Sequence, residues 1–215
     1  LPVTLVFLAI GVVLLLRGRH WVMRLGAYLR RKRSGPSRGV VGFVVSLGQV
    51  IAPQIGIFFL VIALYLAGVL GLRSQVVADV LPQMGMLIFG ALWIGNRVFG
   101  VEGASWTVLE LPSAVARTEA RVNVALLGVL LASWSLLRDV ANYEGYSDAT
   151  RAVLFFPVVA LIGYCLIRIG RLLRLHTQLR ARDEQSGAFR NNVLNLLSTA
   201  TTIVGFVGPV AAAIG

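Results

Sequence analysis

The chain has 215 residues, of which 57% are hydrophobic and only 13% charged, with a formal net charge of +11. A soluble globular domain carries about 25% charged residues, so this composition excludes one. The basic excess does not point to nucleic acid either, because Lys and Arg sit in short connectors flanking apolar runs, without the aromatic-interleaved pattern of a stacking surface.

A bilayer core about 30 Å thick needs roughly 20 apolar residues of helix, and in lipid only helices or closed barrels satisfy the backbone. The sequence predicts an all-α, polytopic transmembrane bundle of about six membrane helices, at 1–16, 40–71, 76–99, 122–137, 152–167 and 193–215, forming one region over 1–215. The first run opens with Leu1 and has neither a basic segment before it nor a small-residue cleavage site after it. It therefore reads as a membrane helix and not as a signal peptide. The absence of Met at the start and the apolar finish at Gly215 suggest a piece of a longer chain. Between the first two spans lies RGRHWVMRLGAYLRRKRSGPSR, with eight Lys and Arg and with Trp21 and Tyr28 at interfacial depth. Ser34-Gly-Pro-Ser ends that helix.

The second run, 40–71, holds 32 uncharged residues, about 48 Å of helix and too long for one untilted span. Pro53 is expected to kink it and divide it in two. Gly48, Ala52 and Gly56 recur every four residues, a stripe of small side chains that lets a neighbouring helix approach closely. A broken helix binding substrate through Ser46, Gln49 or Gln54 is the alternative for this span. The third span ends at Asn96-Arg97, with Arg97 snorkelling to the interface. SWTVLELP then reads as an amphipathic surface segment, and Ser113 as the cap of the next helix.

The fourth span leads to RDVANYEGYSDATR, whose Asp139, Glu144 and Asp148 lack calcium-loop spacing and read as a solvated acidic loop. The fifth continues as RIGRLLRLHTQLRAR, a basic helical extension at the headgroups that ends at Gly187. The sixth is rich in Ser, Thr, Ala and Gly, a composition suited to helix contacts. If the spans alternate, seventeen of the twenty Lys and Arg fall on one side, while the acids divide five to four. That asymmetry makes the connectors at 17–38, 97–121 and 168–190 cytoplasmic and both ends periplasmic, in a multi-pass protein of a bacterial inner membrane.

No nucleophile with a base, paired carboxylates or metal-ligand cluster is evident, so no enzymatic activity, cofactor or metal is expected. Cys165 is alone in an apolar run, and His20 and His176 lie in basic stretches without a second ligand. No Asp or Glu lies deep in a span, which weakens a proton-coupled carrier.

The anchor RLGAYLRRKR, the segment SWTVLELPSAVARTEARVNVALLGVLLASWSLLRDV and the tail NNVLNLLSTATTIVGFVGPVAAAIG resemble the N-terminal accessory membrane region of the large bacterial relatives of the small-conductance mechanosensitive (MscS-like) channels. The likeness is general. The family's Gly/Ala-rich pore helix and following β-domain have no counterpart here, so no pore or gating residue carries over and the channel module is missing. The resemblance implies accessory helices around a homoheptameric pore, moving under tension for osmotic protection. In that setting Gly48, Ala52, Pro53 and Gly56 are the packing and flexing element. Arg30, Arg31, Lys32 and Arg33, with Arg168, Arg171 and Arg174, are the groups that grip anionic headgroups. A secondary transporter with a Pro-broken second helix, or a non-conducting scaffold subunit, are the rival readings.

Overall fold

A computed structural model describes residues 2–32, 37–100, 113–180 and 188–214. It contains six helices: α1 (Pro2–Lys32), α2 (Ser37–Ala67), α3 (Leu72–Val98), α4 (Ala114–Tyr143), α5 (Asp148–Arg180) and α6 (Ala188–Ile214). Among the described residues there is no strand. Five helices are long and apolar enough to cross a membrane, and the apolar part of α6 is the shorter Asn195–Val210. The chain is therefore an all-helical, multi-pass membrane bundle.

Every helix except α2 is longer than the span the sequence predicts, and α2 ends at Ala67, short of 71. In keeping with a helix expected to end at Ser34-Gly-Pro-Ser, α1 stays helical to Lys32, ten residues past the end of its candidate span at Val22. Arg, Leu, Lys and Ala are good helix formers, and charge does not stop a helix once it leaves lipid. α5 behaves likewise, running to Arg180. The expectation that Pro53 divides the second span in two is corrected, since α2 is one 31-residue helix with Pro53 inside it. Proline is tolerated in membrane helices where neighbours and local adjustments re-satisfy the freed backbone group. Pro82, Pro157 and Pro209 are likewise internal to α3, α5 and α6. Arg33 with Ser34-Gly-Pro36, the surface segment 105–112 and the break at Gly187 lie outside the described residues, as do the side chains of Arg30, Arg31, Lys32 and His176.

Local chemistry sets the described turns. Gly68, at φ +64°, ends α2 with its N–H on the Tyr65 carbonyl at 3.1 Å. Gly145, also at φ +64°, closes α4 in a Schellman motif, with Tyr146 N–H donating to the Ala141 carbonyl at 3.0 Å and Gly145 N–H to that of Asn142. Ser147 then caps α5, its hydroxyl accepting from Thr150 N–H. Ser113 caps α4 as expected, accepting from Ala116 N–H at 3.0 Å.

Among the described residues, each helix touches only its neighbours in sequence, most closely within the pairs α1–α2, α3–α4 and α5–α6. The molecule is a row of three helical hairpins, not a closed bundle. Between 11% and 33% of each span's apolar window is buried, so most of the apolar surface is left for lipid. What is buried is small: the largest side chains under 2% exposed are Cys165, Ser135 and Ser198. Lipid removes the hydrophobic drive for helices to associate, and small residues that let backbones approach take its place.

Each hairpin has such a seam. A Cβ on Gly11 would lie 2.9 Å from the Gly56 carbonyl oxygen, and one on Gly56 the same distance from that of Gly11. In the second hairpin a Cβ on Gly128 would stand 2.9 Å from the Leu87 carbonyl oxygen, and in the third one on Gly205 would stand 2.7 Å from that of Gly163. Ser198 adds a hydrogen bond to the Gly170 carbonyl at 2.9 Å.

Position in the seam, and not glycine itself, is what these contacts require. Gly205→Leu should destabilise the third hairpin by about 1–3 kcal/mol through overpacking. Gly208→Leu, three residues on, where a Cβ meets nothing within 4 Å, should be neutral or slightly stabilising; unfolding both variants in mixed micelles distinguishes the two.

Candidate functional site

The predicted small-residue stripe lies in the α1–α2 seam. Gly56 faces Gly11, a Cβ on Gly18 would meet the Ala52 Cβ at 3.1 Å, and one on Gly48 would meet Val22 at 3.0 Å. The rings of Phe7 and Phe59 flank it, with centroids 5.4 Å apart. The stripe therefore holds the first hairpin together, with Pro53 buried beside it.

α2 turns its polar residues toward α3. Gln54 Nε2 donates to the Pro82 carbonyl at 2.8 Å, and Trp93 Nε1 donates to Ser46 Oγ at 3.2 Å. At the far end Tyr65 donates to Asp79 at 2.5 Å. At the end shared with the basic anchor, the Arg97 guanidinium lies over the Phe43 ring, 5.6 Å from its centroid. Two of the three residues weighed for substrate binding, Ser46 and Gln54, are thus engaged in joining the first hairpin to the second. Gln54 Oε1 is buried without a hydrogen-bond partner among the described residues.

The third, Gln49, lines a crevice between α1, α2 and α3 of about 210 Å³, together with Arg19, Asn96, Trp93, Pro53, Leu15, Phe89 and Leu92. The crevice reaches Gln49 but not Gln54. Arg19 and Asn96 are members that the sequence does not single out, since nothing in one chain shows that positions 19, 49 and 96 meet.

The second and third hairpins are joined differently. Phe99, Ala116, Ala120, Val124, Ile169, Leu172 and Leu173 form one buried cluster across the ends of α3, α4 and α5. Arg168 pairs with Glu119 at its edge. Of the predicted headgroup residues, Arg168 is therefore committed to a neighbouring helix, while Arg171 and Arg174 are exposed; Leu172 and Leu173, expected at the headgroups, are core. The acidic loop is also occupied, as Glu144 binds Arg73 at 3.1 Å and Asp139 binds Arg138 at 3.2 Å. Among the described residues no group of three His, Cys, Asp or Glu could hold a metal ion.

Chemically, these sites join helices, and the crevice is a concave place where polar side chains converge. Gln54 carries one satisfied donor and one orphan acceptor. An interhelical hydrogen bond in a membrane is worth about 0.6 kcal/mol on average, whereas a buried unsatisfied group costs about 1–3 kcal/mol. Gln54→Leu should consequently leave stability unchanged or raise it, and Gln54→Glu should lower it, as read from unfolding midpoints in mixed micelles. Comparison of the chain with protein-family profiles, curated proteins and solved structures found no significant match.

Proposed function

We propose that this region senses membrane tension as the accessory helical part of an MscS-like mechanosensitive channel assembly, in a bacterial inner membrane. The observation that supports this reading is the open row of hairpins, in which helices touch only their sequence neighbours and little of each span is buried. A state that differs from another in membrane area is favoured as tension rises. A row of hairpins with lipid on both faces can change its in-plane area by tilting at the two joints, α2–α3 and α4–α5, while the glycine seams keep each hairpin intact. A homoheptameric ring of such rows, as the resemblance implies, would sum those small changes at a central pore.

The basic anchor contributes by fixing the ends of the rows to one leaflet. A Lys or Arg near an anionic surface contributes about 1 kcal/mol, and Arg17, Arg24 and Arg171 are exposed for that purpose. A secondary transporter is the second reading, favoured by the crevice that reaches Gln49.

Two measurements test the proposal. Patch-clamp recording of the whole protein in liposomes under graded suction should give tension-gated currents, with a shifted threshold when Arg17, Arg24 and Arg171 are replaced by Gln. Silence from intact, folded protein would favour the transporter and call for uptake assays. Orientation is checked in a Cys165→Ala background with an impermeant maleimide, which should label Ser147→Cys in intact cells but Ser37→Cys only after lysis.

A further inference from the structure

The crevice between α1, α2 and α3 carries a ligand assignment of its own. Three of its lining side chains are polar, and Arg19, Gln49 and Asn96 all lack a hydrogen-bond or ion-pair partner among the described residues. Arg19 lies near the end of the candidate span Pro2–Val22, and Asn96 near the end of Leu72–Val98. Arg19 is exposed and Gln49 and Asn96 are half-buried, so a cation and two amides are free to meet a ligand at the edge of the hydrocarbon. No carboxylate lines the crevice, so the missing partner is an anion from outside the chain. The other lining residues, Leu15, Pro53, Phe89 and Leu92, are apolar, and a small inorganic anion would leave that wall without a use.

The geometry also fits the partner's size. Among the described residues the backbones of α1 and α3 do not approach closely, so the crevice lies between them with α2 supplying Gln49 and Pro53 to its lining. Its volume of about 210 Å³ equals about seven waters at ~30 Å³ each, room for a phosphodiester group but not for acyl chains, which would lie outside it. Trp93, with Nε1 held on Ser46, presents its ring to that junction, an arrangement suited to the headgroup level.

The geometry points to a binding site for the headgroup of one anionic phospholipid, its phosphate taken by the Arg19 guanidinium and the amide N–H groups of Gln49 and Asn96. The site bridges the first and second hairpins where the α2–α3 joint would have to move. The inference thus deepens the tension-sensing reading, but occupancy is measured without any current, so the two can fail separately.

The test uses the full chain with Trp93 as the single tryptophan (Trp21→Phe, Trp106→Phe, Trp134→Phe), reconstituted in vesicles. Trp93 emission should be quenched several-fold more by brominated phosphatidylglycerol than by brominated phosphatidylcholine at the same mole fraction. Arg19→Gln with Asn96→Leu should abolish that preference, Arg19→Lys should largely keep it, and Arg73→Gln, at the opposite end of α3 from the crevice, should leave it intact. Equal quenching by the two lipids, read before any crevice residue is changed so that misfolding plays no part, overturns the assignment. So does a preference that survives the double substitution with unchanged helical circular dichroism. Relief of phosphatidylglycerol quenching by millimolar inorganic phosphate would identify the free anion as the occupant and likewise overturn the lipid assignment.

Discussion

In lipid, two apolar helices gain nothing by hiding from their solvent, so what holds them together must be contact itself. The close approach of backbones at Gly11 and Gly56, Gly128 and Leu87, and Gly163 and Gly205 is the constraint on which this molecule depends. It explains why the fully buried side chains are no larger than cysteine and why large apolar residues such as Leu16, Phe206 and Val153 point outward. A soluble protein with that distribution would be inside out. Here the dispersion gained between nearly touching backbones replaces a hydrophobic core.

The joints between hairpins follow another rule. Across α2–α3 the contacts include hydrogen bonds from single side chains, Gln54 to the Pro82 carbonyl and Trp93 to Ser46, beside Ile57 packed on Gly85. Across α4–α5 they are an ion pair, Glu119 with Arg168, at the rim of a compact apolar cluster. Glycine seams tolerate almost no sliding, because a carbonyl oxygen stands where a methyl would be. A hydrogen bond from a long side chain keeps its partner through modest rotations. Rigid units and compliant links thus alternate along the row.

Much of this was legible in the residues. Apolar runs of membrane length yield the helices, and the four-residue spacing of Gly48, Ala52 and Gly56 marks the face that meets α1. The helical continuations past the apolar runs were legible as well: the helix break expected at Ser34-Gly-Pro-Ser and the basic helical extension after the fifth span agree with α1 helical to Lys32 and α5 to Arg180. Pro53 was read as dividing the second span, but α2 runs on through it, as proline allows in membrane helices whose neighbours re-satisfy the freed backbone group. The crevice was not legible, since Arg19, Gln49 and Asn96 are distant in sequence and each, taken alone, is an ordinary interfacial residue. The same is true of Glu119 and Arg168. Periodicity locates a face, but which residues of two faces meet depends on helix rotation and offset, and one sequence carries no record of these.

Packing that is confined to sequence neighbours also bears on how the chain is made. Among the described residues no helix packs on a partner beyond the next one in sequence, so α1 and α2 can close their seam while α3 is still emerging. Contacts of this kind carry little loop-closure cost and leave few surfaces exposed for mispairing. The row grows as a repeat array grows, each unit needing only the one before it. A gene encoding such a row can gain or lose a hairpin at the turns that join hairpins without unpacking the rest, which makes the number of hairpins, more than the structure of any one, the property most open to change.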